Sequence, residues 1–357
     1  MNSSTSESWD VIQNYTQFYA AIVAISLNVL LIALILLYSP SELGPYKYLM
    51  IYISVFEIHY AIIDVIVSPF AHSYGSTFLV IVNLKKTSIP PWALSILLSV
   101  YCGLYGCSMA IFSIHFIYRY FVARGSKLLK TFQSWKILIW FSIPVLIGAV
   151  WTVLTYWPCM RRKATDNYVR ENIQETFGLQ MDEIEYIAPY FYEPGENENE
   201  NNIFWPSFIG IGINSCIINV SIGCIIFFAF KCYKCLNTLV PKSKVSSRNR
   251  RLQTQLFFAL VIQTLIPIIL MHIPVTVLYF ASFLSFDLGS FSGLAPVAIA
   301  LYPALDPLPT MFIIRSYRSA LLDVLTWIPR RLLKPRQQVR EDIQLSDTEN
   351  ENRTSLD

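Results

Sequence analysis

Three polar residues that could exchange protons or hold a cation lie within otherwise apolar stretches of this 357-residue sequence. They are Asn28, Glu57 and Asp306. Two carboxyl groups held close together cannot comfortably both ionise, so one must be protonated or neutralised by a cation. Whether the three side chains meet depends on the elements that carry them.

The composition indicates what those elements are. The chain is 54% apolar, 15% aromatic and only 14% charged, whereas soluble domains carry about 25% charged residues. Its uncharged stretches approach or exceed the roughly 20 apolar residues that cross a bilayer. They predict seven transmembrane spans at about 16–38, 47–67, 92–118, 135–157, 203–230, 256–281 and 291–314. The predicted fold is an all-α membrane protein, a seven-transmembrane helix bundle.

The basic residues predict the orientation of this bundle. With the N-terminus outside, 21 of the 27 lysines and arginines fall in cytosolic segments, as the positive-inside rule requires. The outer loop over 158–202 is acidic instead and contains the run EPGENENENN. We therefore expect an extracellular N-terminal segment over 1–15, with glycosylation sequons at Asn2 and Asn14.

The C-terminus is then cytosolic. The segment RSYRSALLDVLTWIPRRLL follows the last span, and its pattern predicts an amphipathic helix on the membrane surface over 315–334. The remainder, 335–357, is expected to be a disordered tail.

The opening trio lies at one depth in this arrangement. At about 1.5 Å of rise per residue, each of the three is roughly 12–15 Å from the cytosolic face. This matched layer predicts one hydrated polar cluster in the core of the bundle. The alternative is three separate side chains, each bonded to its local backbone.

A second set of polar residues lies from the midpoint of the membrane outward. We expect this set to line an outward-facing cavity that binds a small molecule. The set comprises Asp64, Tyr101, Tyr105 and His272. The alternative for each is ordinary packing, because buried tyrosines and histidines usually find hydrogen-bond partners, and few polar groups line a typical pocket.

The cysteines predict neither a cofactor site nor a metal site. KCYKC resembles half of a zinc site, but no second CxxC is present. Cys102 is expected roughly 10–15 Å below the outer surface, too far from Cys159 for a disulfide.

Four segments carry a resemblance to a known family. They are GPYKYLMIYISVFEIHYAIIDVIVSPFAHSYGSTF, YGCSMAIFSIHFIYRYF, QLFFALVIQTLIPIILMHIP and LYPALDPLPTMFIIRSYR. They resemble nematode serpentine chemoreceptors of the Str family, which includes a receptor for the odorant diacetyl. The resemblance implies a seven-helix G-protein-coupled receptor in the ciliary plasma membrane of chemosensory neurons.

The resemblance also implies roles for individual residues. YRY at 118–120 stands where rhodopsin-like receptors have D-R-Y, so Arg119 and Tyr120 are expected to contact the G protein. An alternative for Arg119 is a topology anchor that snorkels to the lipid phosphates. Asn28 resembles the asparagine of span 1, and DPLPT at 306–310 stands for N/D-P-x-x-Y, with Thr310 in place of the tyrosine.

The function that follows is an odorant receptor that binds a small molecule within the bundle and activates a heterotrimeric G protein. A ligand-gated channel or a transporter is the alternative. No inverted repeat supports a transporter, and a seven-span odorant channel would place its N-terminus inside, against the charge count. The sequence contains neither an HExxH motif nor a nucleophile elbow, so neither motif suggests an enzyme. The expected partners are the odorant, the G protein and membrane lipid, not nucleic acid.

Overall fold

The computed structural model describes residues 3–194, 201–238 and 247–323. Within these ranges, seven segments are long and apolar enough to cross a membrane: Val11–Tyr38, Tyr46–Val67, Pro91–Arg124, Ser134–Cys159, Trp205–Asn237, Asn249–Phe283 and Phe291–Ile313. The predicted seven-helix bundle is confirmed.

The described residues form ten α-helices and five strands. The helices are α1 (Ser3–Tyr38), α2 (Tyr46–Val67), α3 (Pro91–Arg124), α4 (Ile137–Cys159), α5 (Lys163–Phe177), α6 (Trp205–Thr238), α7 (Ser247–Pro267), α8 (Ile273–Phe283), α9 (Leu294–Leu305) and α10 (Pro307–Ile313). The strands are β1 (Phe70–Tyr74), β2 (Thr77–Asn83), β3 (Ile184–Ile187), β4 (Tyr192–Pro194) and β5 (Asn201–Ile203). The sixth span consists of α7 and α8, joined by a π-helical turn over Ile268–His272, and the seventh consists of α9 and α10.

The loops between spans form a layer that the sequence analysis did not anticipate. Strands β1, β2 and β3 make an antiparallel sheet, with Val80 opposite Ala71 on one side and Ile187 on the other. Successive side chains of a strand point to opposite faces. On β2, Phe78, Val80 and Val82 therefore pack against the bundle, while Leu79 and Ile81 pack against α5.

Helix α5 covers the outer face of this sheet. Its buried residues recur at helical spacing, at Thr165, Val169, Ile173 and Thr176, as expected of a helix with one apolar face. The sheet is thus buried on both faces between α5 and the membrane helices. We call this side of the molecule the sheet end, and the opposite side, where Arg119 lies, the Arg119 end.

Both terminal segments are helical where the structure describes them. Residues 3–15, expected as an extracellular segment before the first span, are part of α1, and Gln13 Nε2 donates to the Pro69 carbonyl at 2.6 Å. At the other terminus, 315–323 is helical, and its buried Tyr317 hydroxyl lies 2.7 Å from Ser39 Oγ. The remaining residues of the predicted amphipathic helix, and the predicted tail, lie outside the described residues, as does Asn2.

Proline residues shape the last two spans. Pro267 ends α7, and the π-helical turn follows it directly. Pro307 opens α10, and it has no N–H with which to bond the carbonyl four residues earlier, that of Pro303. That carbonyl is therefore available to another donor in the core of the bundle.

Candidate functional site

The freed carbonyl of Pro303 joins the polar layer. Asn28 Nδ2 donates to it at 3.0 Å and also to the Ala24 carbonyl on its own helix. The Glu57 carboxyl lies within hydrogen-bonding reach of the Asp306 and Asn28 side chains. The structure therefore brings together the three residues that the sequence placed at one depth, each of them at most 1% exposed.

Further partners extend this layer toward the Arg119 end. Gln263 Nε2 donates to Asp306 Oδ2 at 2.7 Å, and Thr310 Oγ1 donates to Gln263 Oε1 at 3.0 Å. The Tyr302 hydroxyl lies 3.5 Å from Glu57 Oε1. The layer thus links spans 1, 2, 6 and 7, and sequence reasoning missed Gln263 because an amide within a span carries no motif.

An apolar cavity lies between the sheet and the membrane helices. Its volume is about 70 Å³. The bundle contributes an aromatic floor of Tyr60, Tyr101, Tyr105 and Trp151. The sheet and the residues after it contribute the lid, with Ala71, Phe78, Val80, Ile187 and Pro189. We call this space the inner cavity.

Only two of the four expected ligand-binding residues, Tyr101 and Tyr105, line the inner cavity. Asp64 lies behind Tyr101, packed against that residue and Gln17. Cys102 and Cys159, expected to lie far apart, both line the cavity as free thiols, because Cys159 packs beside Leu98, one turn of α3 from Cys102.

Two small residues of α3 allow the floor of the cavity to form. A Cβ atom at Gly106 would overlap the Trp151 indole, and one at Gly103 would overlap the Thr152 hydroxyl. Small residues let two membrane helices approach closely. The approach of α4 to α3 places Trp151 against Tyr105, with 5.7 Å between the ring centroids.

His272, the fourth expected residue, faces a different space. It lines a cleft of about 480 Å³ between α6 and the sixth span, together with Asn214, Ser215, Asn219, Thr276 and Phe280. We call this space the lateral cleft. It adjoins the inner cavity, because Tyr105, Trp151, Ile211 and Tyr279 line both.

Charged and aromatic side chains hold the layer of loops in place at the sheet end. Arg161 Nε contacts the Asp166 carboxylate at 3.1 Å, and the Tyr186 hydroxyl donates to the same carboxylate at 2.7 Å. Arg162 pairs with Glu193 at 2.6 Å. Burial lowers the pKa of His72, although the bond to Asn172 and the charge of Asp287 oppose this effect. These contacts fix β3 and α5 over the cavity.

Arg119 lies at the opposite end and is only 3% exposed. Its Nη2 donates to the Gln253 carbonyl on α7 at 2.8 Å, and its guanidinium lies 5.0 Å from the centre of the Tyr46 ring. The side chain therefore does not snorkel toward lipid phosphates. Tyr120 points elsewhere: its hydroxyl accepts from Arg124 Nη1 at 2.6 Å.

Asn14, one of the two expected glycosylation sites, is part of α1. Its Oδ1 accepts a hydrogen bond from the Ser68 hydroxyl at 3.1 Å. The same hydroxyl lies 3.0 Å from Gln17 Oε1. Asn14 thus contributes to the contact between α1 and the end of α2.

Comparisons with known proteins agree with this arrangement. The family model for the serpentine type 7TM GPCR chemoreceptor Str matches residues 13–322. The chain is 37% identical over 306 residues to the G-protein coupled receptor str-217 of Caenorhabditis elegans, covering 85% of this chain and 87% of that protein. It is 30% identical over 323 residues to the serpentine receptor class r-10 of the same organism, covering 89% and 92%.

The match includes all seven spans, the sheet and Arg119. The protein is therefore a multi-pass membrane protein that belongs to the Str family of serpentine seven-helix G-protein-coupled chemoreceptors.

Proposed function

We propose that this protein is an odorant receptor, which binds a small, mostly apolar molecule in the inner cavity and activates a heterotrimeric G protein at the Arg119 end. The observation that carries the proposal is the lid of loop residues. A sheet buried on both faces closes the cavity against Tyr101, Tyr105 and Trp151. An aromatic space covered by the sheet removes an apolar ligand from water, which is favourable.

The volume of the cavity limits the size of the ligand. An engineered cavity of about 150 Å³ holds benzene, whereas the inner cavity has about 70 Å³. A molecule of only a few heavy atoms therefore fits without movement, and a larger one must displace a side chain such as Tyr105 or Tyr279. Such displacement gives the ligand a different affinity for two packings of the bundle, which is what coupling requires.

The charge distribution supports the orientation that this function needs. The sheet end faces outward, where an odorant arrives, and the Arg119 end faces the cytosol together with most of the basic residues. Asn2 then carries the glycan, because Asn14 is held by Ser68. The receptor operates in the ciliary membrane of chemosensory neurons.

The test is a functional screen of the full chain. Cells that express the chain with a G-protein activation reporter are exposed to volatile molecules graded in size. We expect responses to small, weakly polar molecules, and we expect an inhibitor of nucleotide exchange on the G protein to abolish them. Ligand-evoked currents that persist under this inhibitor would instead establish the alternative, a ligand-gated channel.

The orientation has a test of its own. An epitope tag placed before Met1 should be accessible to antibody on intact cells, and the Asn2→Gln variant should lose a glycosidase-sensitive mobility shift. A tag accessible only after permeabilisation would contradict both the orientation and the receptor function.

A further inference from the structure

The lateral cleft contains two buried polar atoms without a partner. These are Asn214 Oδ1 and His272 Nδ1, on residues that are 2% and 4% exposed. A buried polar group without a hydrogen bond is costly. Both residues line one cleft of about 480 Å³, which indicates that a polar group bound there can satisfy them.

The neighbouring hydrogen bonds identify the character of the His272 atom. The Ser108 hydroxyl donates its single hydrogen to the Tyr105 carbonyl at 2.8 Å, and the same oxygen lies 3.2 Å from His272 Nε2. Nε2 must therefore donate to Ser108. A neutral imidazole carries one proton, so Nδ1 is a free acceptor.

Asn214 Oδ1 is also an acceptor. Among the described residues of the cleft, the two partnerless atoms are therefore both acceptors, and the group that would satisfy them is a hydrogen-bond donor. Within the part of the chain that the structure describes, the lining contains no lysine, arginine, aspartate or glutamate. An ammonium ion would enter without a counter-charge, which is strongly unfavourable in an apolar setting. A neutral hydroxyl group fits this site.

The rest of the cleft suits the apolar part of such a molecule. Its aromatic lining includes Phe208, Phe280 and Phe283. Helix α6 meets the sixth span at the rim of the cleft, where Phe208 lies 5.8 Å from Phe283, and again well beyond the cleft, where Tyr233 lies 6.4 Å from Phe257 between ring centroids. Between these contacts, Gly212, Ser215 and Asn219 are exposed on the side of α6 that the bilayer would cover.

We propose that the lateral cleft is a second binding site, which takes a neutral alcohol with an apolar tail directly from the bilayer. The hydroxyl group donates to Asn214 or His272, and the tail lies among the phenylalanines at the rim. This site is separate from the inner cavity, although the two share Tyr105, Trp151 and Tyr279 as a wall. Binding here does not depend on the proposed odorant function.

The test uses photolabelling of the full chain in lipid nanodiscs. The probe is 3-azioctanol, an eight-carbon alcohol that carries a diazirine, and the matched probe without a hydroxyl group is 3-azioctane. After irradiation, mass spectrometry of peptides locates the label. We expect the alcohol to label α6 and α8 around the cleft, 1-octanol to suppress that labelling, and octane at equal membrane concentration to leave it unchanged.

A double variant tests the acceptors. The hydroxyl group has one hydrogen and can donate it to either residue, so Asn214→Leu combined with His272→Phe removes both alternatives. Labelling at the cleft should then fall roughly 2- to 12-fold, as expected for the loss of one hydrogen bond. Asn237→Leu is the matched control, since this exposed asparagine lies on the same helix but outside the lining of the cleft. Thermal unfolding of each variant verifies that it is folded.

The comparison of the alcohol with the alkane uses the unaltered chain, so its result does not depend on whether any variant folds. Equal labelling by 3-azioctanol and 3-azioctane, or equal suppression by octanol and octane, would overturn the proposal and show that the cleft holds ordinary lipid tails. Unchanged labelling of the folded double variant would also overturn it. Because the readout is binding rather than signalling, this result is independent of the test of the inner cavity.

Discussion

Arg119 on α3 is bonded to the backbone of α7: its Nη2 lies 2.8 Å from the carbonyl oxygen of Gln253. Its guanidinium also covers the Tyr46 ring of α2, while its Nε has no partner in the described residues. One buried cation therefore joins spans 2, 3 and 6 at the Arg119 end. A bond to a main-chain carbonyl can break when α7 moves, without leaving a buried negative charge behind.

The first prediction concerns this arginine. Arg119→Ala should leave surface expression roughly intact and reduce ligand-evoked G-protein activation by about tenfold or more, within the range of allosteric coupling energies. The reason is that the guanidinium released from Gln253 is expected to contact the G protein. Arg124→Ala is the control, since it removes an equal charge from the exposed end of the same helix. Normal signalling by Arg119→Ala at a normal surface level would reduce Arg119 to a structural contact.

The second prediction concerns the floor of the inner cavity. Tyr105→Phe should lower sensitivity to ligands that carry an oxygen by roughly 2- to 12-fold, the cost of one hydrogen bond, and should spare the maximal response. Tyr156→Phe, exposed on α4, is the matched control. Dose–response curves measure both. An identical curve for Tyr105→Phe with every active ligand would place the ligand elsewhere.

The third prediction concerns the polar layer. Glu57→Gln and Asp306→Asn should change basal activity or maximal response more than sensitivity, because the layer joins spans 1, 2, 6 and 7 but does not line the cavity. Removing one carboxyl group changes the balance between two packings of these helices. Glu175→Gln on the exposed face of α5 should change neither quantity. A pure shift in sensitivity for both core variants would contradict the assignment.

The fourth prediction concerns the contact of α3 with α4. Gly106→Ala should push the Trp151 indole into the inner cavity and strongly reduce ligand responses, because an aromatic ring cannot yield as a flexible side chain does. Gly223→Ala on α6 should be neutral, since every other described residue lies more than 4 Å from the added atom. Ligand responses at matched surface expression decide between them. A normal response of Gly106→Ala would show that Trp151 is not fixed against the cavity.

The fifth prediction concerns pH and the sheet. Burial lowers the pKa of His72 below its ordinary value of 6.5, so the unfolded chain binds more protons than the folded chain as the pH falls below that value. The contribution of His72 is therefore complete at neutral pH and is lost as the pH falls through the folded pKa. Glu185 acts in the opposite direction, because burial raises its pKa.

Comparing variants isolates the histidine from Glu185. His72→Gln keeps a donor for Asn172 but cannot titrate, so its thermal stability should fall less than that of the unaltered chain between pH 7 and pH 5. His59→Gln, an exposed residue of α2, is the control. An equal loss of stability in His72→Gln and the unaltered chain would show that His72 has the same pKa in the folded and unfolded states.

The polar layer shows how far the sequence alone reaches. The depth of Asn28, Glu57 and Asp306 follows from counting residues along spans of known rise, so their meeting was predictable. Their bonds were not. Asn28 donates to the Pro303 carbonyl. This carbonyl has no helical N–H partner because Pro307 follows four residues later in the same span. Gln263 belongs to the polar layer because of the face that α7 turns toward the core, and no pattern in the sequence specifies that face.

The inner cavity shows where the sequence falls short. TFLVIVN at 77–83 is a short, continuous apolar run, the pattern of a strand buried on both faces. That signal was present, but its partners β1 and β3 are separated from one another by more than a hundred residues. Only their pairing creates the lid, so Phe78, Val80 and Ile187 could not be assigned to a binding site beforehand.

The sequence by itself determined the number of transmembrane spans, the depth of the polar residues and the end at which the basic residues gather. Each of these depends on local hydrophobicity and on the length needed to cross a bilayer. The tertiary structure alone decided which residues share a space. It places Tyr101 and Tyr105 in the inner cavity, Asp64 behind Tyr101, and His272 in the lateral cleft. The reason is that helix rotation and the packing of small residues such as Gly106 direct side chains, and these depend on neighbours far away in the chain.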